Sequence, residues 1–261
     1  MKIRIFQEKS RIIENINIGE SYYLLKFKTS HQKVKIIPGQ FLNIRILDTF
    51  DPLLRRPFSI FNFERGIISI LYKVRGKGTK ILSQLSSSDV IDFIFPLGNG
   101  FKEVFKKKNI WIAAGGIGVA GISYLLKFLR NKNVNLFAGF NLLSEANAIK
   151  KILNFKNIHI SVMQRQNRYF TGDILRLIKK ELKKHKPEII VGCGPVEMLE
   201  SLYNIASSLG IPTEFLMERQ MGCGMGVCFG CAIKVKSKNK IQFRLVCKDG
   251  PVFKGDEIVW S

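Results

Sequence analysis

Acidic residues are scarce in this chain: 20 Asp and Glu stand against 42 Lys and Arg among 261 residues, a formal charge of +22. A field of that sign suits nucleic acid, an anionic membrane, an acidic protein or a phosphate-bearing cofactor. The basic residues are nevertheless spread widely, with small clusters at Lys106 to Lys108 and Lys179 to Lys186. That is the pattern of a solvated surface, and no basic stretch interleaved with aromatics marks a nucleic-acid module. Histidine is scarcer still. His31, His159 and His185 share no metal-ligand spacing and read as surface residues. A membrane-length apolar segment is missing too. Ile110 to Leu126 carries no charge, but Gly115, Gly116, Gly118 and Gly121 interrupt it, and it falls short of the roughly 20 residues a spanning helix needs. Met1-Lys-Ile-Arg-Ile-Phe6 alternates like a strand and holds no secretory hydrophobic core, so a cytoplasmic, membrane-free protein is expected. Internal repeats and low-complexity linkers are absent, and 46% hydrophobic content supports packed cores.

Cysteine is rare until the carboxyl end, where four of the five lie beyond residue 222. Cys223, Cys228, Cys231 and Cys247 form a C-x4-C-x2-C-x15-C series, and its leading spacings are those of a plant-type 2Fe-2S loop. Gly222, Gly224, Gly226 and Gly230 lie among the thiols. They let the backbone wrap closely around an inorganic core and aim N–H groups at its sulfurs. A tetrahedral zinc site needs no such collar, although four cysteines alone do not exclude zinc. Disulfides fit poorly with a chain that has no secretory signal. The last spacing is shorter than in a plant-type ferredoxin, so a small terminal cluster module is expected.

Before residue 103 the chain runs in short alternating segments: Ser21 to Phe27, Phe41 to Ile46, Ile67 to Tyr72 and Asp89 to Phe95. That rhythm suggests an antiparallel barrel or sandwich. After Lys108 strands alternate with helices. Strands are expected at Asn109 to Ala114, Val134 to Phe140, His159 to Met163 and Glu188 to Gly192, with helices at Ile122 to Asn131, Asp173 to Lys184 and Val196 to Leu209. This grammar predicts a parallel, Rossmann-like sheet with right-handed crossovers. The expected fold is thus α/β plus β, with a barrel over 1–103, a nucleotide domain over 104–211 and a cluster module over 212–261.

Gly116-x-Gly118-x-x-Gly121 follows a strand and opens a helix, which is the context a dinucleotide fingerprint requires. Backbone N–H groups there suit a pyrophosphate; helix-sheet packing alone would need only one of these glycines. The stretch after the second strand, Asn141 to Ser144, has no arginine for a 2′-phosphate, which favours NAD over NADP. In the barrel, Arg56-Pro57-Phe58-Ser59 lines up a fixed charge, an aromatic face and a hydroxyl, and Arg75-Gly-Lys-Gly78-Thr79 is a glycine-rich turn suited to phosphate. Either could also be an ordinary surface arginine or turn.

The order of barrel, Arg-x-aromatic-Ser, glycine turn and nucleotide domain resembles the ferredoxin-NADP reductase superfamily. LLRRPFSI, RGKGT, PLGNGF, AAGGIGVAG, CGP, ERQMGCGMGVCFGC and VCKDGPVF, in that order, look like the electron-transfer subunits of NAD-dependent class 1B dihydroorotate dehydrogenases. The resemblance spans nearly the whole chain. It implies FAD on the barrel, touched by Arg56, Pro57, Phe58 and Ser59, by Leu71, Tyr72 and Lys73 on a neighbouring strand, and by Gly78 and Thr79 at the pyrophosphate. Arg56 would counter phosphate charge and Ser59 would lie near the reactive ring. Phe58 stands where the superfamily often has tyrosine, keeping the stacking face without the phenolic hydroxyl. NAD would meet Gly115, Gly116, Gly118 and Cys193-Gly194-Pro195, while Cys193 could equally be a buried structural cysteine. The cluster would be held by Cys223, Cys228, Cys231 and Cys247.

Hydride carriers move electron pairs and iron-sulfur clusters move single electrons, so a flavin between them is chemically required. The resemblance therefore implies an electron relay in pyrimidine biosynthesis, with no catalytic residue for dihydroorotate in this chain and an FMN-containing catalytic subunit as partner, two copies of each. Similar subunits serve transhydrogenases, sulfide dehydrogenases and hydrogenases, which these motifs do not separate. A zinc-bearing scaffold with a working basic surface is a reading of a different class.

Overall fold

The computed structural model describes residues 4–47, 50–153, 155–238 and 240–260. The first half is antiparallel. Its strands are β1 (Phe6–Gly19), β2 (Tyr22–Lys28), β3 (Phe41–Arg45), β4 (Arg56–Ser59), β5 (Asn62–Glu64), β6 (Ile67–Lys73) and β7 (Val90–Leu97), with helix α1 (Lys77–Leu82) before β7. They join in the order β4-β3-β7-β1-β2-β6-β5. β1 is longer than the amino-terminal strand expected, whose first three residues lie outside the described ones. Its early residues pair with β7 and its later ones with β2, and the register shifts between Ile12 and Glu14. One strand thus turns the corner of a barrel at an irregularity. The chain leaving β4 on one edge enters β5 on the other, where Phe61 N donates to Ser69 O at 2.9 Å, closing the sheet on itself. Inward-facing Leu25, Phe27, Leu42, Ile44, Ile70 and Phe93 fill the interior, each contributing about 1.5–3 kcal/mol on burial.

The second half is parallel. β8 (Asn109–Gly115) leads through the turn at Gly116–Gly118 into α2 (Val119–Leu126), followed by β9 (Asn133–Phe140), α3 (Leu143–Ile152), β10 (Ile158–Val162), β11 (Phe170–Thr171), α4 (Ile174–Leu182), β12 (Ile189–Cys193) and α5 (Val196–Ser208). All of α2 is buried. The uncharged run 110–126 is therefore a core strand, turn and core helix, and no helix among the described residues is long and apolar enough to cross a membrane. α4 buries Ile174, Leu177, Ile178 and Leu182 while Lys179 and Lys180 face outward, so the basic cluster there is a solvated helix face.

Beyond residue 211 come β13 (Thr213–Leu216), β14 (Ala232–Ser237), β15 (Lys240–Leu245) and β16 (Val252–Lys254). β14 and β15 form their own hairpin, but β13 and β16 complete the parallel sheet, whose order is β11-β10-β9-β8-β12-β13-β16. The cysteine segment therefore leaves the sheet from β13 and returns to it as β16, antiparallel to β13. Glu214 on β13 fastens the barrel exit by accepting from the amides of Lys102, Glu103 and Val104.

The histidines differ from their expected surface placement. His159 is half-buried, stacked on Phe137 at 4.8 Å and joined to Asn135. His31 stacks on Phe6, and only His185 is largely exposed, its ring edge-on to Trp111. Imidazoles serve here as flat apolar surfaces with a polar edge.

Candidate active site

Two adjoining clefts lie where the barrel meets the parallel sheet. The larger, about 540 Å³, is walled by Gly115, Gly116 and Gly118 after β8, by Gly194 and Pro195 after β12, and by Tyr22 and Lys73 from the barrel. The smaller, about 240 Å³, is walled by Pro57, Phe58 and Ser59 of β4 and by Leu71, Tyr72 and Lys73 of β6. Lys73, Arg75, Ile117 and Glu218 belong to both walls. The expected nicotinamide and flavin residues are thereby brought face to face.

The glycines of the turn divide their work. At Gly116 φ is +53°, and a Cβ there would meet nothing nearer than Tyr22 Oη at 4.0 Å, leaving open space toward the larger cleft. A Cβ at Gly118 would lie 2.2 Å from Cys193 O, and one at Gly121 3.0 Å from Cys193 Sγ and 3.4 Å from Ser59 Oγ. Packing thus claims both Gly118 and Gly121, more than the single glycine expected, because α2 must press against β12 and the barrel together. The same contacts gather Ser59, Gly121 and Cys193 at one point between the domains. Cys193 is fully buried, and burial together with the Glu218 charge pushes its thiol well above the usual range. It stands behind the cleft as a neutral packing group.

The two barrel motifs meet as well. Gly78 lies under Arg56, whose Nε is 3.0 Å from where its Cβ would be. The Thr79 hydroxyl accepts from the amides of Arg75 and Gly76 at 3.0 and 3.2 Å, so it closes its own loop. Arg56, Gly78 and Thr79 stand beside the smaller cleft rather than in its wall. Phe58 meets Tyr72 edge-on at 5.8 Å, and the Tyr72 hydroxyl turns away to donate to Asn15. The cleft thus has an aromatic and aliphatic side at Phe58, Leu71 and Tyr72 and charged groups at Lys73, Arg75, Glu218 and Arg219, which fits a planar ring system that carries a polar edge and a charged tail.

Around the cysteines the backbone coils closely. Cys223 Sγ accepts from the amides of Met225, Val227 and Cys228 at 3.3–3.4 Å. Cys223 N donates to Cys228 Sγ at 3.5 Å, and Cys247 N to Cys231 Sγ at 3.4 Å. The thiols thus come together as two pairs, 223 with 228 and 231 with 247; no three His, Cys, Asp or Glu side chains among the described residues converge on a single ion. Two thiol pairs with amides aimed at sulfur are the donor set of a dinuclear iron-sulfur core. Burial opposes ionisation of Cys223, but the surrounding amides outweigh it and bring the thiol down to about 6. Cys247 is pushed up to about 12 by burial and by Cys231. The outer pair is accessible and the inner pair buried, giving the centre one face toward solvent. Exposed Met225, Val227 and Phe229 rim that face.

Several residues outside the expected set hold these parts together. Asn43 on β3 lies opposite Pro57 of the flavin motif, and its Nδ2 donates to Cys223 O at 3.3 Å. Asn99, from PLGNGF, donates to Lys248 O and Asp249 O, which explains why that motif accompanies the KDGP segment. Glu218 stands between the clefts, whose walls push its carboxyl up, partly offset by Arg75. Glu145 anchors the larger cleft from α3. Asn43 gave no sequence signal and Asn99 only its place in PLGNGF, since each acts on main chain far away in sequence. Glu145 had one: a glutamate in the first turn of a helix reaching back to the cap amide.

Taken together, a flavin-type slot on a barrel, a nucleotide cleft on a parallel sheet and a thiol loop fastened to the barrel at Asn43 define an iron-sulfur member of the ferredoxin-reductase fold class. Solved structures agree on the fold. The NADH-dependent reduced ferredoxin-NADP oxidoreductase is similar with a TM-score of 0.80, 24% identity, and coverage of 96% of this chain and 90% of that one. A ferredoxin reductase from carbazole 1,9a-dioxygenase matches with a TM-score of 0.69 at 19% identity, over 82% and 69% of the two chains. Residues 218–259 match the iron-sulfur cluster binding domain of dihydroorotate dehydrogenase B. Over nearly their full lengths, the electron transfer subunits of dihydroorotate dehydrogenase B (NAD(+)) from Caldanaerobacter subterraneus and Clostridium acetobutylicum are 33% and 35% identical, covering 97% and 95% of this chain and 98% and 96% of theirs. The chain belongs to that family of electron transfer subunits.

Proposed function

We propose that this chain passes electrons between NAD and a separate dihydroorotate-oxidising subunit, using FAD in the smaller cleft and a 2Fe-2S cluster on Cys223, Cys228, Cys231 and Cys247. Bound flavin supplies the conversion between hydride and single electrons, and the cluster accepts or donates them one at a time. The chain's own residues position these groups. Gly115, Gly116, Gly118, Gly194 and Pro195 line the nucleotide cleft, Phe58 and Tyr72 exclude water from the flavin slot, and Ser59 sits where the two meet. The partner is an FMN-bearing catalytic subunit, two of each in the assembly, docking over Met225, Val227 and Phe229. No side chain here is assigned to dihydroorotate itself.

The observation that carries this reading is the Asn43 contact. A strand paired with the flavin motif is fastened to the first cysteine, so flavin and cluster sites are neighbours. Co-purification with the catalytic subunit and a dihydroorotate:NAD assay test it. Cys228→Ser is expected to leave NADH reduction of bound FAD largely intact while abolishing transfer to the partner. Equal loss of both would contradict the order of the relay, and a colourless zinc-containing protein would sink it.

A further inference from the structure

The nucleotide cleft contains an ion pair that neither the glycine turn nor the flavin motif accounts for. Lys73 ends β6 on the barrel and reaches Glu145 in the first turn of α3, Nζ to Oε1 2.5 Å. Only 5% of the Glu145 side chain is exposed. Its second oxygen accepts from the amides of Asn141 and Leu142 at 3.2 and 3.3 Å, which fixes the carboxylate to the end of β9. Tyr22, directly across from Lys73 in the barrel sheet, adds its hydroxyl to Oε1 at 3.5 Å, and the Lys73 ammonium lies 5.2 Å from the Tyr22 ring centre. A pair of barrel side chains thus grips one oxygen of a nucleotide-domain carboxylate whose other oxygen is held by its own domain.

The surroundings leave this grip little slack. A Cβ at Gly19, in the turn leading to Tyr22, would lie 2.9 Å from Ala148 Cβ on α3, so barrel backbone abuts the helix without a spacer. Burial alone would raise the Glu145 carboxyl, but Lys73 and the two amides outweigh it and hold it below its ordinary value, keeping the pair charged at neutral pH. Among the described residues the other ion pair between barrel and nucleotide domain, Lys127 to Glu64, is 35% and 60% exposed, and such pairs contribute little. The Lys73 side chain is 26% exposed, and removing it strands the buried Glu145 carboxylate without its cation. Lys73 also lies in the wall common to both clefts.

We infer that Lys73 and Glu145 form an interdomain latch, and that Glu145 is a positioning residue for hydride exchange, acting through Lys73 to fix the nucleotide cleft against the flavin slot. This rests on the relay proposed above, in which nicotinamide and flavin meet across that wall. Hydride exchange demands an approach of about 3–3.5 Å, and a misplacement of about 1 Å can cost on the order of 100-fold.

The test uses the full chain carrying flavin and cluster, as Glu145→Gln, Lys73→Met and the double variant. Stopped-flow reduction of flavin by NADH is expected to slow about tenfold or more in each single variant, with weaker flavin-nicotinamide charge-transfer absorbance and no further slowing in the double variant. Without any nicotinamide, amide hydrogen exchange over residues 141–148 is expected to rise in Lys73→Met. Losses that multiply in the double variant, or a Glu145→Gln protein reduced at the parental rate, overturn the latch. If flavin is lost from a variant, the exchange comparison decides, and unchanged protection overturns it. A parent protein whose flavin NADH does not reduce contradicts the relay instead.

Discussion

Gly224→Ala isolates the junction between barrel and cluster loop. Gly224 has φ +71°, and a Cβ there would stand 2.1 Å from Asn43 Nδ2. A left-handed alanine costs about 1–2 kcal/mol. Asn43 is fully buried with its Oδ1 already unpartnered, so displacing its amide from Cys223 O adds about 1–3 kcal/mol for an unmade buried hydrogen bond. A total of about 2–5 kcal/mol falls on the residue next to Cys223, a proposed cluster ligand, and its lower end corresponds to roughly 30-fold more frequent opening of the loop. Visible circular dichroism of the cluster, followed in air against flavin fluorescence after release, reads this directly. The cluster is expected to decay faster by about that factor while flavin content stays at the parental level. In an Asn43→Ala background the clash is gone, so Gly224→Ala should then cost only the left-handed part. A Gly224→Ala protein that keeps its cluster as long as the parent, or an Asn43→Ala background that relieves nothing, would refute the reasoning.

Phe229, 68% exposed at φ +60°, can be replaced by asparagine, which tolerates that backbone. Phe229→Asn is expected to weaken binding of the catalytic subunit about tenfold or more, as for a buried aromatic anchor, with NADH reduction of flavin retained; unchanged affinity by titration calorimetry would remove the residue from the interface. Burial lowers the His159 imidazole below 6.5; Glu181 works the other way, and His185 and Lys184 reinforce the burial. The unfolded chain therefore takes up the proton first, and the stability is complete above 6.5 and lost as pH falls through the folded value. Thermal midpoints should fall between pH 7 and 5.5, and fall less in His159→Phe; parallel curves would assign the acid loss elsewhere.

Local patterns revealed most of the parallel half, because β8, β9 and β12 are apolar runs followed by amphipathic or glycine-opened helices. α3 is not legible in the sequence although Ala146, Ala148 and Ile149 mark a buried face, since its start carries no cap of the Ser, Thr, Asp or Asn kind. β13 and β16 are adjacent in space but separated by the whole cysteine segment, and no window of sequence reports such pairing. The cysteine loop could be read from residue types and spacing, whereas the flavin motifs became legible only through their order along the chain. The partners of Asn43, Asn99 and Glu145 could not be read, because each contacts main chain or a side chain of another part.

The insertion of the thiol loop between β13 and β16 has a mechanical consequence. Both strands belong to the sheet that carries the nucleotide cleft, so in the proposed relay the thiol loop and the nucleotide cleft share one sheet, while the barrel is a separate sheet fastened to them by side chains. A displacement of the barrel would change the separation of the smaller cleft from the nucleotide cleft and from the thiols at once, while those two would keep their spacing. Asn43 and Lys73 tie the barrel to the thiol loop and to α3, so both contacts oppose such a displacement.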